Sequence, residues 1–79
     1  MQIKFSKQSL KSLKKLQVRI SKKLLTSIER IPDGDIKPLK GKKIPPLFRL
    51  RVGKFRILFS TKNDIIKVLQ IDTWGDVYK

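Results

Sequence analysis

Three arginines, Arg49, Arg51 and Arg56, fall in a stretch where charged and apolar residues alternate on both sides of Gly53-Lys54. Gly-Lys between two alternating runs predicts a two-residue hairpin turn, with Gly first as a type II′ turn requires. In that register Val52 faces Phe55, Leu50 faces Ile57 and Phe48 faces Phe59, giving one apolar face. On the opposite face Arg51 lies directly across from Arg56, and Arg49 follows two residues along. Like charges directly opposed across a sheet are destabilising, and an anion between them relieves the repulsion. A planar guanidinium fork matches the oxygens of a phosphate. The chemistry such a face offers is therefore phosphate binding and stabilisation of negative charge. A solvated strand face carrying arginines for solubility accounts for the same pattern and stands beside this reading.

Tyr78, one residue from the C-terminus, can stack on a base or take part in proton transfer. It can equally cover a sheet edge. Trp74 reads as a packing residue or as a base platform. Asp72 and Asp76 are too few, and lack the paired acids, for a carboxylate dyad. The chain contains neither His nor Cys, which excludes a His general base and a thiolate metal site. It has no P-loop, no GxGxxG and no Ser-His arrangement. The lysines of the first half read as a solvated or phosphate-steering surface, a source of non-specific, salt-dependent affinity.

Several elements must position these residues. Met1–Phe5 alternates weakly, as a short strand does, and Ser6 suits a helix N-cap. From Lys7 to Ile31 there is no Gly or Pro. Leu10, Leu13 and Leu16, then Ile20, Leu24, Ile28 and Ile31, mark an apolar helical stripe. As one helix this stretch would be about 37 Å long. A domain of this size is only about 30 Å across. A helical hairpin turning near Gln17 and Val18 is expected instead. Pro32-Asp33-Gly34-Asp35 is a turn. Ile36–Pro46 reads as a basic linker carrying Lys37, Lys40, Lys42 and Lys43. After the arginine hairpin and a turn at Lys62-Asn63, a third strand is expected from about Asp64 to Asp72. Its nearly continuous apolar run suggests cover on both faces.

The chain has 79 residues, with 20 Lys plus Arg against 6 Asp plus Glu and a net charge of +14. One domain spanning residues 1–79 is expected, with a thin core. Apolar residues make up 39% of the chain, too many for a disordered basic tail. A charge of this size opposes compaction and implies an anionic partner: nucleic acid, an anionic membrane or an acidic protein. No apolar run approaches the ~20 residues of a membrane span. The N-terminal MQIKFSKQ lacks the apolar core of a signal peptide. The expectation is a cytoplasmic protein.

Leu39-Lys40-Gly41, the run Phe48–Phe59 and Gly75-Asp76-Val77-Tyr78-Lys79 resemble the RelE/ParE toxin superfamily, and the leading IKFSKQSLKSLKKL is like that family's first strand and helix. The resemblance covers nearly the whole chain. RLRVGKFRILF is its more specific part, and the Lys-rich helices are generic. It implies an α+β fold: an N-terminal strand, a helical hairpin, then an antiparallel sheet of three or four strands. It also implies a toxin of a toxin–antitoxin system. RelE-type members cut mRNA in the ribosomal A site, where the 2′-hydroxyl attacks the neighbouring phosphate and basic sheet-face residues stabilise the charge. Such chemistry needs no metal and no cofactor.

Carried over by position, Arg49, Arg56 and Tyr78 are the expected catalytic residues. Arg51, Lys54, Lys40, Lys43 and Trp74 are the expected RNA-binding ones. Where many members read Arg-Gly-Asp-Val-Tyr, this chain has Trp74 in place of the arginine. One phosphate ligand is then absent. Arg51 or Lys54 compensates, Trp74 stacks on a base, or activity is low. The expected partners are mRNA, the ribosome and a cognate antitoxin with an acidic, amphipathic segment, and no membrane. Two other readings compete: a ParE-like topoisomerase inhibitor that does not cut RNA, and a binding-only or degenerate toxin.

Overall fold

Ser6 caps the first helix as expected. It holds an extended conformation, and its Oγ accepts a 3.1 Å hydrogen bond from the Ser9 amide, one of the four orphan donors of a helix start. The computed structural model describes residues 2–39 and 46–73. The chain runs β1 (Gln2–Phe5), α1 (Lys7–Lys15), α2 (Val18–Glu29), β2 (Asp35–Pro38), β3 (Leu47–Val52), β4 (Phe55–Lys62) and β5 (Ile65–Thr73). This is the expected α+β order. The helical stretch breaks at Leu16-Gln17, both extended, beside the expected turn. The radius of gyration is 12.1 Å, a size that a single 37 Å helix would not fit.

The sheet has the order β1-β5-β4-β3-β2. Strands β2 to β5 pair antiparallel, and β1 joins at the edge, parallel to β5. Both helices lie on one face. Leu24 and Ile28 of α2 enter a core with Leu50, Phe55, Ile57, Phe59, Ile66, Val68 and Ile71. Burying a residue such as Ile57 in this core stabilises the fold by roughly 2–5 kcal/mol relative to Ala. The rings of Phe48 and Phe59, paired across β3 and β4, stack at 5.5 Å.

Four sequence expectations are corrected. The stretch read as a linker contains β2, and Leu39 extends its ladder by donating to the Leu47 carbonyl. Four residues ending in Pro are too short and too irregular to alternate, and an edge strand tolerates the missing donor. The second hairpin turns at Asn63-Asp64, both in the left-handed region, not at Lys62-Asn63. Leu10 is exposed, whereas Ser9 is fully buried. The Ser9 hydroxyl donates to the carbonyls of Ser6 and Val68, so α1 meets β5 through a small polar side chain with Leu13 and Leu16 beside it. Lastly, β5 is not evenly covered on both faces, since Lys67 is exposed. Its apolar run reflects a bulge. Phe59 pairs with Val68 but Leu58 pairs with Gln70, leaving Leu69 as the extra residue.

Candidate phosphate-binding face of the sheet

The β3–β4 hairpin has the register that the alternation predicts, with Arg51 opposite Arg56 and Arg49 opposite Leu58. Gly53 has φ +58°, the sign a type II′ turn needs at its first position. Lys54 sits exposed at the tip, its Nζ 5.9 Å from the centre of the Phe55 ring.

The sheet extends this pair into a row. Asp35 of β2 pairs with Arg51, Arg51 with Arg56, and Arg56 with Asp72 of β5. Four strands thus present acid, arginine, arginine, acid in line on the face away from the helices. The next row reads Lys37, Arg49, Leu58, Gln70. Arg56 donates from Nε and Nη2 to the two oxygens of Asp72, at 3.4 and 3.3 Å. The Gln70 amide also donates to Asp72, at 2.7 Å. Arg49 reaches Asp35 across the rows at 3.8 Å. Its side chain is 12% exposed and that of Arg56 21%, so both guanidinium groups sit in partly screened positions.

Asp72, read from the sequence only as lacking a carboxylate partner, is the ion-pair partner of Arg56. Sequence reasoning missed it, together with Asp35 and Gln70, because their placement depends on pairings that local pattern does not reveal. Without the bulge at Leu69, Arg56 would face Ile71 and Asp72 would turn into the core. The extra residue reverses both, since a one-residue shift moves every side chain to the other face. The carboxylate fixes the guanidinium plane, as a bidentate Arg–carboxylate pair does. It also offsets part of the repulsion between the opposed arginines.

The structure brings together Arg49, Arg51 and Arg56 and leaves Lys54 beside them at the hairpin tip. Lys40, Lys43, Trp74 and Tyr78 lie outside the described residues. Among the described residues, no three His, Cys, Asp or Glu side chains cluster to hold a metal. No described helix is long and apolar enough to cross a membrane.

Solved structures share this architecture. A RelE–RelB complex from the archaeon Pyrococcus horikoshii OT3 aligns with a TM-score of 0.76 and 26% identity, over 94% of each chain. A RelB–RelE antitoxin–toxin complex from Methanococcus jannaschii gives a TM-score of 0.75 at 27% identity, over 95% of this chain and 94% of that one. The RelBE2 toxin–antitoxin complex of Mycobacterium tuberculosis shares the fold, with a TM-score of 0.74 at 23% identity over 91% and 88% of the two chains. The fold is thus that of the small RelE-like toxins. A family model described as the ParE toxin of the type II toxin–antitoxin system parDE matches residues 3–78, and the chain belongs to this RelE/ParE toxin superfamily. A comparison with curated proteins finds no match.

Proposed function

We propose that this toxin cuts translated mRNA on the ribosome and that its outer sheet face binds the scissile phosphate. The observation that carries the reading is the Arg51–Arg56 pair. Two guanidinium groups are held on directly opposed residues of rigid strands, beside a third at Arg49. In the reaction the ribose 2′-oxygen attacks the adjacent phosphorus. The O2′–P bond forms, the P–O5′ bond breaks, and the products are a 2′,3′-cyclic phosphate and a 5′-hydroxyl. The 2′-proton passes to a base and the departing O5′ takes up a proton. Negative charge grows on the phosphoryl oxygens in the transition state. Fixed cations there lower the barrier because they need little reorganisation.

Arg56 is the primary stabiliser, held in orientation by Asp72, and Arg51 is its partner across the hairpin. Arg51 or Lys54 compensates for the arginine that Trp74 replaces. Tyr78 is the proposed participant in proton transfer, and Trp74 the proposed base platform. Lys40, Lys43 and Lys54 add backbone affinity. The ribosome supplies alignment of the 2′-oxygen with the leaving oxygen, a large part of the rate. The proposed protein partner is a cognate antitoxin. The two RelB–RelE complexes above hold toxin and antitoxin together. An acidic, amphipathic segment that orders on binding would neutralise the +14 surface.

Adding the protein to a cell-free translation reaction and mapping the reporter message tests this reading. Cuts in the translated region are expected for wild type and not for Arg49→Ala/Arg56→Ala. An intact message with wild-type protein contradicts it. A second reading, ParE-like inhibition of a topoisomerase, draws on the ParE description of the matching family model. It predicts growth arrest that survives loss of Arg49 and Arg56.

A further inference from the structure

The cleavage reading leaves the other end of the outer face unused. There Lys4, Lys62 and Lys67 surround an open hollow of about 400 Å³, lined also by Ser60, Asn63 and Ile65. Lys67 of β5 lies between two partners in register, Lys4 on β1 and Ser60 on β4. Lys62 follows two residues beyond Ser60 on the same face, opposite Ile65. Two of these lysines are directly opposed, which repels in the same way as the arginine pair. No ion pair within 4 Å joins Lys4, Lys62 or Lys67 to an acid among the described residues. The Ser60 side chain beneath them is buried. Three ammonium groups over a polar floor make an anion site of a different kind. Lysines act as mobile point charges and hold a phosphate without fixing its plane.

The spacing connects the two ends. Ser60 lies four residues along β4 from Arg56, about 14 Å at ~3.4 Å per residue. Between them Leu58 and its diagonal neighbour Leu47 lie half-buried on the same face. Cationic sites separated by an apolar platform match a single nucleic-acid strand, whose phosphates sit at the ends and whose bases and riboses cover the platform.

We propose that Lys4, Lys62 and Lys67 form a second phosphate subsite. It grips the RNA strand a few nucleotides from the phosphate held at Arg51 and Arg56, so the outer face is one continuous single-strand track. This inference rests on the RNA-directed reading above.

The test is fluorescence anisotropy of the full chain with oligouridylates from about two to about eight nucleotides long, at graded salt. Three variants are compared with wild type: Lys62→Ala/Lys67→Ala, Arg49→Ala/Arg56→Ala and a charge-matched helix control, Lys14→Ala/Lys22→Ala. Wild-type affinity is expected to step up once the strand spans both subsites. The Lys62→Ala/Lys67→Ala variant should lose that step and bind the longest strand about tenfold more weakly, with a salt slope shallower by about 1.4 for two lost phosphate contacts. The helix control should lose less than about threefold. Equal losses in the helix control would overturn the subsite, because charge alone would explain the binding. Wild-type binding by the lysine variant, with loss only in the arginine variant, would overturn the subsite and leave the cleavage reading standing. Wild-type binding by both variants would overturn both. Displacement of RNA from the hollow by a polyglutamate peptide at lower concentration than by competing RNA would assign the hollow to an acidic protein and overturn the proposal.

Discussion

The two ends of the outer sheet face carry the same sign of charge and are built differently. At one end Arg49 and Arg56 are partly screened and bracketed by Asp35 and Asp72, with Arg56 gripped through two nitrogens and Arg51 exposed beside them. At the other end Lys4, Lys62 and Lys67 are exposed and ring a hollow, with no ion pair among the described residues. Orientation is costly, and it is useful where charge develops along a defined direction, as in a phosphoryl transition state. Simple affinity needs no orientation, and mobile point charges supply it. The contrast is the one that the proposed function requires, with chemistry at the arginine end and retention of the strand at the lysine end.

Leu69 separates the two ends. Before this bulge the strands pair in the register set by the Asn63-Asp64 turn, and after it they are shifted by one. The bulge also holds α1, since the Leu69 carbonyl accepts a 2.7 Å hydrogen bond from the Ser6 hydroxyl. Inserting one alanine between Gln70 and Ile71 should therefore erase the contrast with the largest effect of all. Asp72 would turn into the core and Ile71 out of it, at a cost of roughly 3 kcal/mol or more. Thermal unfolding should show Tm lowered by more than about 10 °C. Deleting Leu69, which removes the bulge but leaves Ile71 opposite Ile57 and Asp72 opposite Arg56, should lower it much less. Equal losses in the two would mean that the bulge itself, not the register beyond it, is what matters.

A smaller change sharpens the comparison at the arginine end. Arg56→Ala should lower cleavage by about 10²-fold, the scale of losing one transition-state charge stabiliser. Single-turnover rates at saturating message measure this, and a wild-type rate would remove the hairpin face from the mechanism. Arg56→Lys keeps the charge but loses the fork that Asp72 grips. It should recover binding more fully than rate. Equal recovery of both would show that orientation contributes nothing.

The smallest expected effect is that of Asp72→Asn. Removing the carboxylate raises the local potential, so RNA should bind about threefold more tightly, the scale of a partly exposed ion pair. The rate at saturation should fall, because the guanidinium loses its clamp. Paired binding and rate measurements separate the two effects. Weaker binding would contradict the assignment of Asp72 as a clamp.

How far the sequence reveals this arrangement differs between the two hairpins. The β3–β4 register was legible to the residue, because a two-residue Gly-Lys turn sits between strands that alternate except at Leu58. The β4–β5 register was not. Val68, Leu69 and Ile71 are all apolar, and nothing local says which of them is the extra residue. Asp72 was hidden for the same reason, since its pairing with Arg56 exists only after the shift. Strand β2 was hidden by Pro38 and by its four-residue length. The helical break was legible from length alone, although Ser9, not Leu10, turned out to be the buried contact. For the site, Arg49, Arg51 and Arg56 could be read from alternation, whereas their acidic frame required the tertiary pairing.

Primer extension on a reporter mRNA in a bacterial host tests the central claim most directly. The message is made in two forms, one translated and one lacking its start codon. Wild-type protein is predicted to cut within codons of the translated form only, and Arg49→Ala/Arg56→Ala is predicted to leave both forms whole. Growth arrest with both messages intact, or equal cutting by the arginine variant, would contradict the account.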